Sequence, residues 1–404
     1  MRGLKSIGCG SLLVACVGAC SPAAPAENPE PNPGDTTTTS ASYGPPPPAP
    51  LPSAPASGPG SGAPTLGAGG AGATPSASTP ASPAAPPPSG PPPGSLARGD
   101  GTPADAELEA GDTAYLADDL KLAKTHYTKA KRLAPKDPAP RVGLLRVALA
   151  DSGVATDYAA APKNAKIKAL VRDADAVIKL DPNYGPPYVE KGRLLLILGE
   201  ADPALAALGR GVELAPQDPE AHSALGVARL ALGKTEEALK SFERAVELDR
   251  SNPDRLTNLG TAYMLRGKVE QAISTYKRAV NLAPNDPRAH GDLGTAYLAA
   301  GRPKEAIGEL KRAIQLDERA TFLSNLGYAQ QLSGDLKSAI ATYRKALKLD
   351  PKLGSAWINL GTALAKQGDV AEAEKAFKTA LKLDPSDPRA KANLAELEEL
   401  KKQK

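Results

Sequence analysis

Residues 354–387 read GSAWINLGTALAKQGDVAEAEKAFKTALKLDPSD, and their spacing decides the fold. Trp357, Leu360, Gly361 and Leu364 fall at i, i+3, i+4 and i+7, one apolar helical face, before Gly368-Asp369 breaks the run. In the second run Ala373, Phe377, Ala380, Leu381 and Leu383 recur at helical spacing with Lys375, Lys378 and Lys382 between them. Asp384-Pro385 then ends that run, since proline disfavours helical geometry in the residue before it. The stretch is a helical hairpin. Gly361 and Ala373 are small enough for its two helices to approach closely, and only such packing offsets the roughly 0.5–1 kcal/mol that a mid-helix glycine costs.

The same unit recurs upstream with a period near 34, from starts near Ala320, Pro287, Pro253, Pro219 and Gly185. Leu326-Gly327, Leu293-Gly294, Leu259-Gly260 and Leu225-Gly226 repeat the Leu-Gly pair, and Ala339, Ala306, Ala272, Ala238 and Ala204 repeat the small residue of the second helix. The copy from Gly185 keeps Gly192 but has Lys191 where leucine is expected. Ala104 to Asp137 reads as the first copy through Gly111, Ala123, Tyr127, Ala130 and Pro135. Pro138 to Tyr184 is longer than the period, with VGLLRVALA as a first helix and an insertion from Asp151 to about Asn164. That insertion is either a solvated loop of a decayed repeat or part of a binding face, where insertions in such arrays often fall. Residues 388–404, with Leu394, Leu397 and Leu400 amid dense charge, read as a solubilising cap helix and tail.

The unit resembles the tetratricopeptide repeat in its Trp357, Leu360-Gly361, Ala373, Phe377 and Pro385, with Leu364 in place of the usual tyrosine. The resemblance implies an all-α protein, an α-α superhelix (tetratricopeptide repeat solenoid) of about eight repeats over residues 104–387, whose first helices line a concave groove that binds protein or extended peptide partners. By the same resemblance the residues flanking each Leu-Gly pair point into the groove: Glu190, Arg193, Asn258, Thr261, Asp292, Thr295, Asn325, Tyr328, Asn359 and Thr362. Repeats that clamp acidic C-termini use lysines where this chain has Ser223, Thr257, Gly291 and Ser324, so that mode is not expected. The asparagine series is similar to the ladder of the O-linked N-acetylglucosamine transferase superhelix, which grips a peptide by its backbone, and asparagine at this place is also ordinary family consensus.

Arg2 and Lys5 followed by an uncharged, mostly apolar or small run to Ala19 read as a signal peptide, too short for a transmembrane helix. Val17-Gly18-Ala19-Cys20 looks like a lipobox, with Cys20 the lipidated residue, and Leu13-Val14-Ala15-Cys16 fits the same pattern with a shorter apolar core. Residues 1–20 are thus expected to be removed or acylated at a bacterial cell envelope, with Ser21 resembling lipoproteins sorted to the outer membrane. Residues 21–103, rich in Pro, Ala, Gly and Ser, lack the apolar surface to offset chain entropy and are expected to form a disordered linker. Such a tether could span about 50 Å as a coil and up to roughly 250 Å as polyproline.

The 404-residue chain has a net charge of +4 with Lys and Glu alternating along its helices, a solvated surface rather than a nucleic-acid stripe. Its three cysteines all lie within the first twenty residues, so the helical region offers neither a disulfide nor a thiolate site. No phosphate loop, HExxH or nucleophile constellation is present, and the three histidines are scattered: His222 and His290 stand in the place of Trp357, and His126 has no evident partner. The expectation is a lipid-anchored envelope scaffold and not an enzyme, with no cofactor, metal, nucleic acid or small-molecule substrate. The alternative is an accessory subunit that brings substrates to a separate envelope or glycosylating enzyme.

Overall fold

The computed structural model describes residues 94–402. The expected signal peptide, Cys20 and Cys16, and the linker as far as residue 93 lie outside the described residues. Within them the chain forms seventeen helices and no strand. They pair in order: α1 (Pro103–Leu116) with α2 (Leu120–Leu133), α3 (Ala139–Asp151) with α4 (Ala165–Ile178), and α5 (Pro186–Leu198) with α6 (Ala201–Leu214). There follow α7 (Pro219–Ala231) with α8 (Thr235–Leu248), α9 (Pro253–Leu265) with α10 (Val269–Leu282), and α11 (Pro287–Ala299) with α12 (Pro303–Leu316). The array ends with α13 (Ala320–Leu332) and α14 (Leu336–Leu349), α15 (Gly354–Gln367) and α16 (Val370–Leu383), and α17 (Pro388–Lys402). Each hairpin also packs on the next. First helices touch the first helix of the following hairpin from α1 through to α17, so they form a continuous inner layer.

The sequence sets the ends of these helices. Asp218, Asn252 and Asp286 accept from backbone N–H groups in the first turns of α7, α9 and α11, and each is followed by a proline whose missing N–H costs nothing at that position. Between the two helices of a hairpin the chain turns through a left-handed residue, a glycine at 199, 233, 267, 301, 334 and 368. In the first hairpin Asp118 takes that conformation at φ 64°.

In seven of the eight hairpins a large side chain of the second helix lies on the glycine of the first; in the second hairpin Gly143 instead meets Tyr127 of the hairpin before. A Cβ on Gly361 would stand 2.6 Å from the Phe377 ring, and one on Gly260 or Gly226 would stand 2.5 Å from Tyr276 or Phe242. The glycine therefore makes room for a ring as well as for the opposing helix. Between hairpins, one side chain donates to the carbonyl of the proline that closed the previous unit. Trp357 Nε1 reaches Pro351 at 2.9 Å, Tyr188 Oη reaches Pro182 at 3.1 Å, and Arg141 Nη1 reaches Pro135 at 2.8 Å. His222 and His290 do the same through Nε2 at 3.0 Å, which fits their reading as packing residues. His126 does have a partner, Glu107, at 2.8 Å. Lys191, in the place of a leucine, pairs with Asp175 of the preceding hairpin at 2.7 Å.

Two segments depart from the regular pattern. The insertion between α3 and α4 holds these helices apart and lies against the end of α5: the Ala159 and Ala161 amides donate to the Leu196 and Ile197 carbonyls at 2.9 and 3.0 Å. Residues 94–102, read as linker, pack on the first two hairpins, with Leu96 and Ala97 in a core that includes Leu108, Tyr115, Val142 and Leu145. That core supplies the apolar burial that the composition of the upstream stretch lacks.

Candidate peptide-binding face of the first helices

The ten residues expected in the groove all lie on first helices, and they fall into two groups. Asp292 and Thr295 of α11, Asn325 and Tyr328 of α13, and Asn359 and Thr362 of α15 are half-buried. Glu190 and Arg193 of α5, and Asn258 and Thr261 of α9, are 2% exposed or less, so they meet the protein and not an open surface. This corrects the expectation for those four.

The cause is a ladder of buried charges across four hairpins. Arg146 Nε donates to Glu190 at 2.8 Å, Arg193 Nη1 donates to the other oxygen of Glu190 at 2.9 Å, and Arg193 Nε lies 3.1 Å from Glu220. Arg255 then bridges Glu220 at 3.5 Å and Asp249. Alternation of sign gives Glu190, Arg193, Glu220 and Arg255 two opposite charges each, the compensation that groups out of water require. Burial would raise the Glu190 carboxyl, but Arg193 and Arg146 hold it below its ordinary range. Glu220 is raised, because burial outweighs Arg193 and Arg255.

The asparagines tie neighbouring hairpins together. Asn258 Nδ2 donates to Ser223 Oγ at 3.3 Å and Asn325 Nδ2 to Thr295 Oγ1 at 3.0 Å, while Asn393 of α17 donates to Thr362 Oγ1 at 3.3 Å. Thr295 and Thr362 in turn donate to Gly291 and Ile358 of their own helices. Asn258 and Asn325 thus spend amide protons on the array, which leaves less than the full ladder supposed from the resemblance. Thr261 Oγ1 lies 3.1 Å from the Tyr276 hydroxyl in the same hairpin.

On the half-buried side, Asp292, Tyr328 and Asn359 make no side-chain hydrogen bond among the described residues. Burial pushes the Asp292 carboxyl up to about 7, with Arg288 pulling it down and Asp286 pushing it further. Burial lowers the Arg288 guanidinium, but the charges of Asp254 and Asp286, with smaller ones from Asp157 of the insertion and Asp292, hold it above its ordinary value.

The sequence reading missed Arg146, Glu220 and Arg255, and also Asp105 and Asp112 on α1. Their signal was a charge within the apolar face of a first helix, as in VGLLRVALA. Among the described residues no group of three or more His, Cys, Asp or Glu could hold a metal ion, and no helix is long and apolar enough to cross a membrane.

Family models described as tetratricopeptide repeat match residues 189–253, and residues 229–291, 264–320 and 331–397. No curated protein matches the chain. Among solved structures it is similar to the APC/C hetero-tetramer Cut9-Hcn1, with 17% identity, 73% of this chain and 56% of that one covered, and a TM-score of 0.56. It thus spans little more than half of that chain. It is also similar to MamA, with 29% identity, 40% of this chain and 95% of that one covered, and a TM-score of 0.36. A thermophilic tetratricopeptide protein of Thermus thermophilus matches with 30% identity, 44% of this chain and 97% of that one covered, and a TM-score of 0.38. Residues 189–320 and 331–397 of this chain are tetratricopeptide repeats.

Proposed function

We propose that the chain is a lipid-anchored scaffold of the bacterial cell envelope, held at the outer membrane through an acylated Cys20. In this reading it binds a protein or extended peptide along its first-helix face and aids assembly of an envelope complex, of the pilus, secretion or cell-wall kind. The observation that carries the binding is the C-terminal half of that face, where Asp292, Tyr328 and Asn359 are half-buried and make no side-chain hydrogen bond among the described residues. An amide and a phenol so placed can donate to and accept from a peptide backbone, each net bond being worth about 0.5–1.5 kcal/mol. The fold supports the reading, because stacked repeats bind through extended faces of this kind. The anchor rests on Val17 to Cys20, and acylation there contributes about 0.8 kcal/mol per buried CH₂.

The binding claim is tested by a pulldown of envelope partners with full-length protein carrying Tyr328→Ala and Asn359→Ala. The expected result is loss of the partner with helicity unchanged, and retention of every partner would refute the site. The anchor is tested by fractionation of Cys20→Ala, which should leave the membrane fraction or remain unprocessed.

A further inference from the structure

The chain that leads into α1 lies along the first helices of the first two hairpins. Asp112 Oδ2 accepts from the Leu96 amide at 2.6 Å, from Ser95 Oγ at 2.7 Å and from the Ala97 amide at 3.3 Å. Asp105 accepts from the Arg98 amide at 2.6 Å and from the Asp100 amide at 3.1 Å. Arg146 Nη1 donates to the Gly94 carbonyl at 3.0 Å. Leu96 is 1% exposed, and Arg98 pairs with Asp137 at 2.8 Å while its guanidinium lies 5.3 Å from the centre of the Tyr184 ring.

These contacts have the form of peptide recognition. Two carboxylates and a guanidinium read the backbone of an extended segment, and one apolar side chain is the anchor. Asp112 follows Gly111 as Arg193 follows Gly192 and Thr362 follows Gly361, so it holds the groove place of its hairpin; Asp105 is one face-repeat earlier on α1. Two of the three receiving groups have partners outside the segment: Tyr127 Oη donates to the other oxygen of Asp112 at 2.8 Å, and Arg146 pairs with Glu190. Gly99 and Gly101, at φ 72° and 71°, turn the chain between the segment and α1, a conformation that favours glycine.

We propose that Asp105, Asp112 and Arg146 form a peptide-binding site for an extended segment bearing one leucine-sized anchor beside small residues, and that Ser95–Arg98 is its occupant in cis. A partner peptide of this kind reaches that end of the array only by displacing the chain's own residues. The proposal rests on the reading of the first helices as a peptide-binding face, but it concerns the first two hairpins alone. Tyr328 and Asn359 lie on α13 and α15, so failure here leaves the site tested by their substitution untouched.

The probe is a fluorescent peptide of sequence GSLARGDG, residues 94–101, titrated by anisotropy into the full-length protein. A filled site lowers apparent affinity by the fraction of molecules in which it is open. Leu96→Asp removes the internal anchor and should bind the probe on the order of tenfold more tightly than the unsubstituted protein, a difference of about 1.4 kcal/mol. Adding Asp112→Asn should abolish that gain. Equal affinity for both proteins, or no binding by Leu96→Asp, would overturn the proposal. Hydrogen exchange on the unsubstituted protein decides independently of how the variants fold. The Leu96 and Ala97 amides should exchange by local detachment, and faster when free peptide competes. Protection equal to that of the α2 core amides, unaffected by peptide, would show the segment to be a fixed part of the fold.

Discussion

Glu190 lies between two guanidiniums with almost no exposure, and its removal is the most informative single change in the inner layer. Glu190→Gln leaves Arg146 and Arg193 short of a negative charge, and breaking a buried pair from one side costs about 3–5 kcal/mol. A loss of unfolding free energy of that size, read as a lowered urea midpoint, with no shift for an exposed control such as Glu399→Gln, is the expected outcome. Asp292 is the opposite case, since its folded pKa of about 7 lies above the ordinary 3.8. Its contribution to stability is full below about pH 4 and is lost as the pH rises through 7. Asp292→Asn should therefore flatten the decline in thermal midpoint between pH 4 and 7, and an unchanged pH profile would show that the carboxyl titrates normally. Neither property was legible from the sequence. Glu190 and Arg193 are recognisable there as first-helix residues, but the partners that bury them, Arg146 and Glu220, lie in neighbouring hairpins, beyond any local pattern. Asn258 reads as open for a similar reason, because Ser223 satisfies it from the hairpin before.

At the scale of the element, the hairpin was almost wholly readable. Its apolar periodicity, turn glycine and closing proline each act within one unit, so residues 354–387 were enough to place two helices, which form as α15 and α16. What lies against Gly361 was less clear: the ring of Phe377 fills the space, beyond a simple approach of backbones. Gly361→Leu should then expel that ring or part the helices, at the 1–3 kcal/mol typical of overpacking. The damage should be greatest in α15–α17, read by hydrogen exchange, since each unit touches only its neighbours. Uniform loss of protection from α1 onward would contradict this. The two irregular segments were not readable. Composition places residues 94–102 in the linker because four amides satisfied by two aspartates leave no mark on hydropathy. The insertion is located by length, but its course against α5 depends on the Leu196 and Ile197 carbonyls, which every residue type carries.

For the whole molecule, seventeen helices among the described residues make one continuous inner layer, closed at its C-terminal end by α17, where Leu397 is buried and Asn393 is tied to Thr362. The layer changes character along its length. Toward the N-terminus it is sealed by buried charges and by Leu96, and from α11 onward it presents polar groups at half exposure. On the proposed reading, the open site for a partner is on the later repeats, with contacts that are mostly neutral and therefore little weakened by salt. The most direct test is site-specific photocrosslinking in intact envelopes, with a benzophenone side chain placed at Tyr328 or Asn359 on the first helices, or at Lys345 or Lys378 on the exposed second helices. The account predicts a discrete adduct from Tyr328 and Asn359, retained at high salt, and none from Lys345 or Lys378. Adducts from the second-helix positions alone, or none from the first-helix positions, would contradict it.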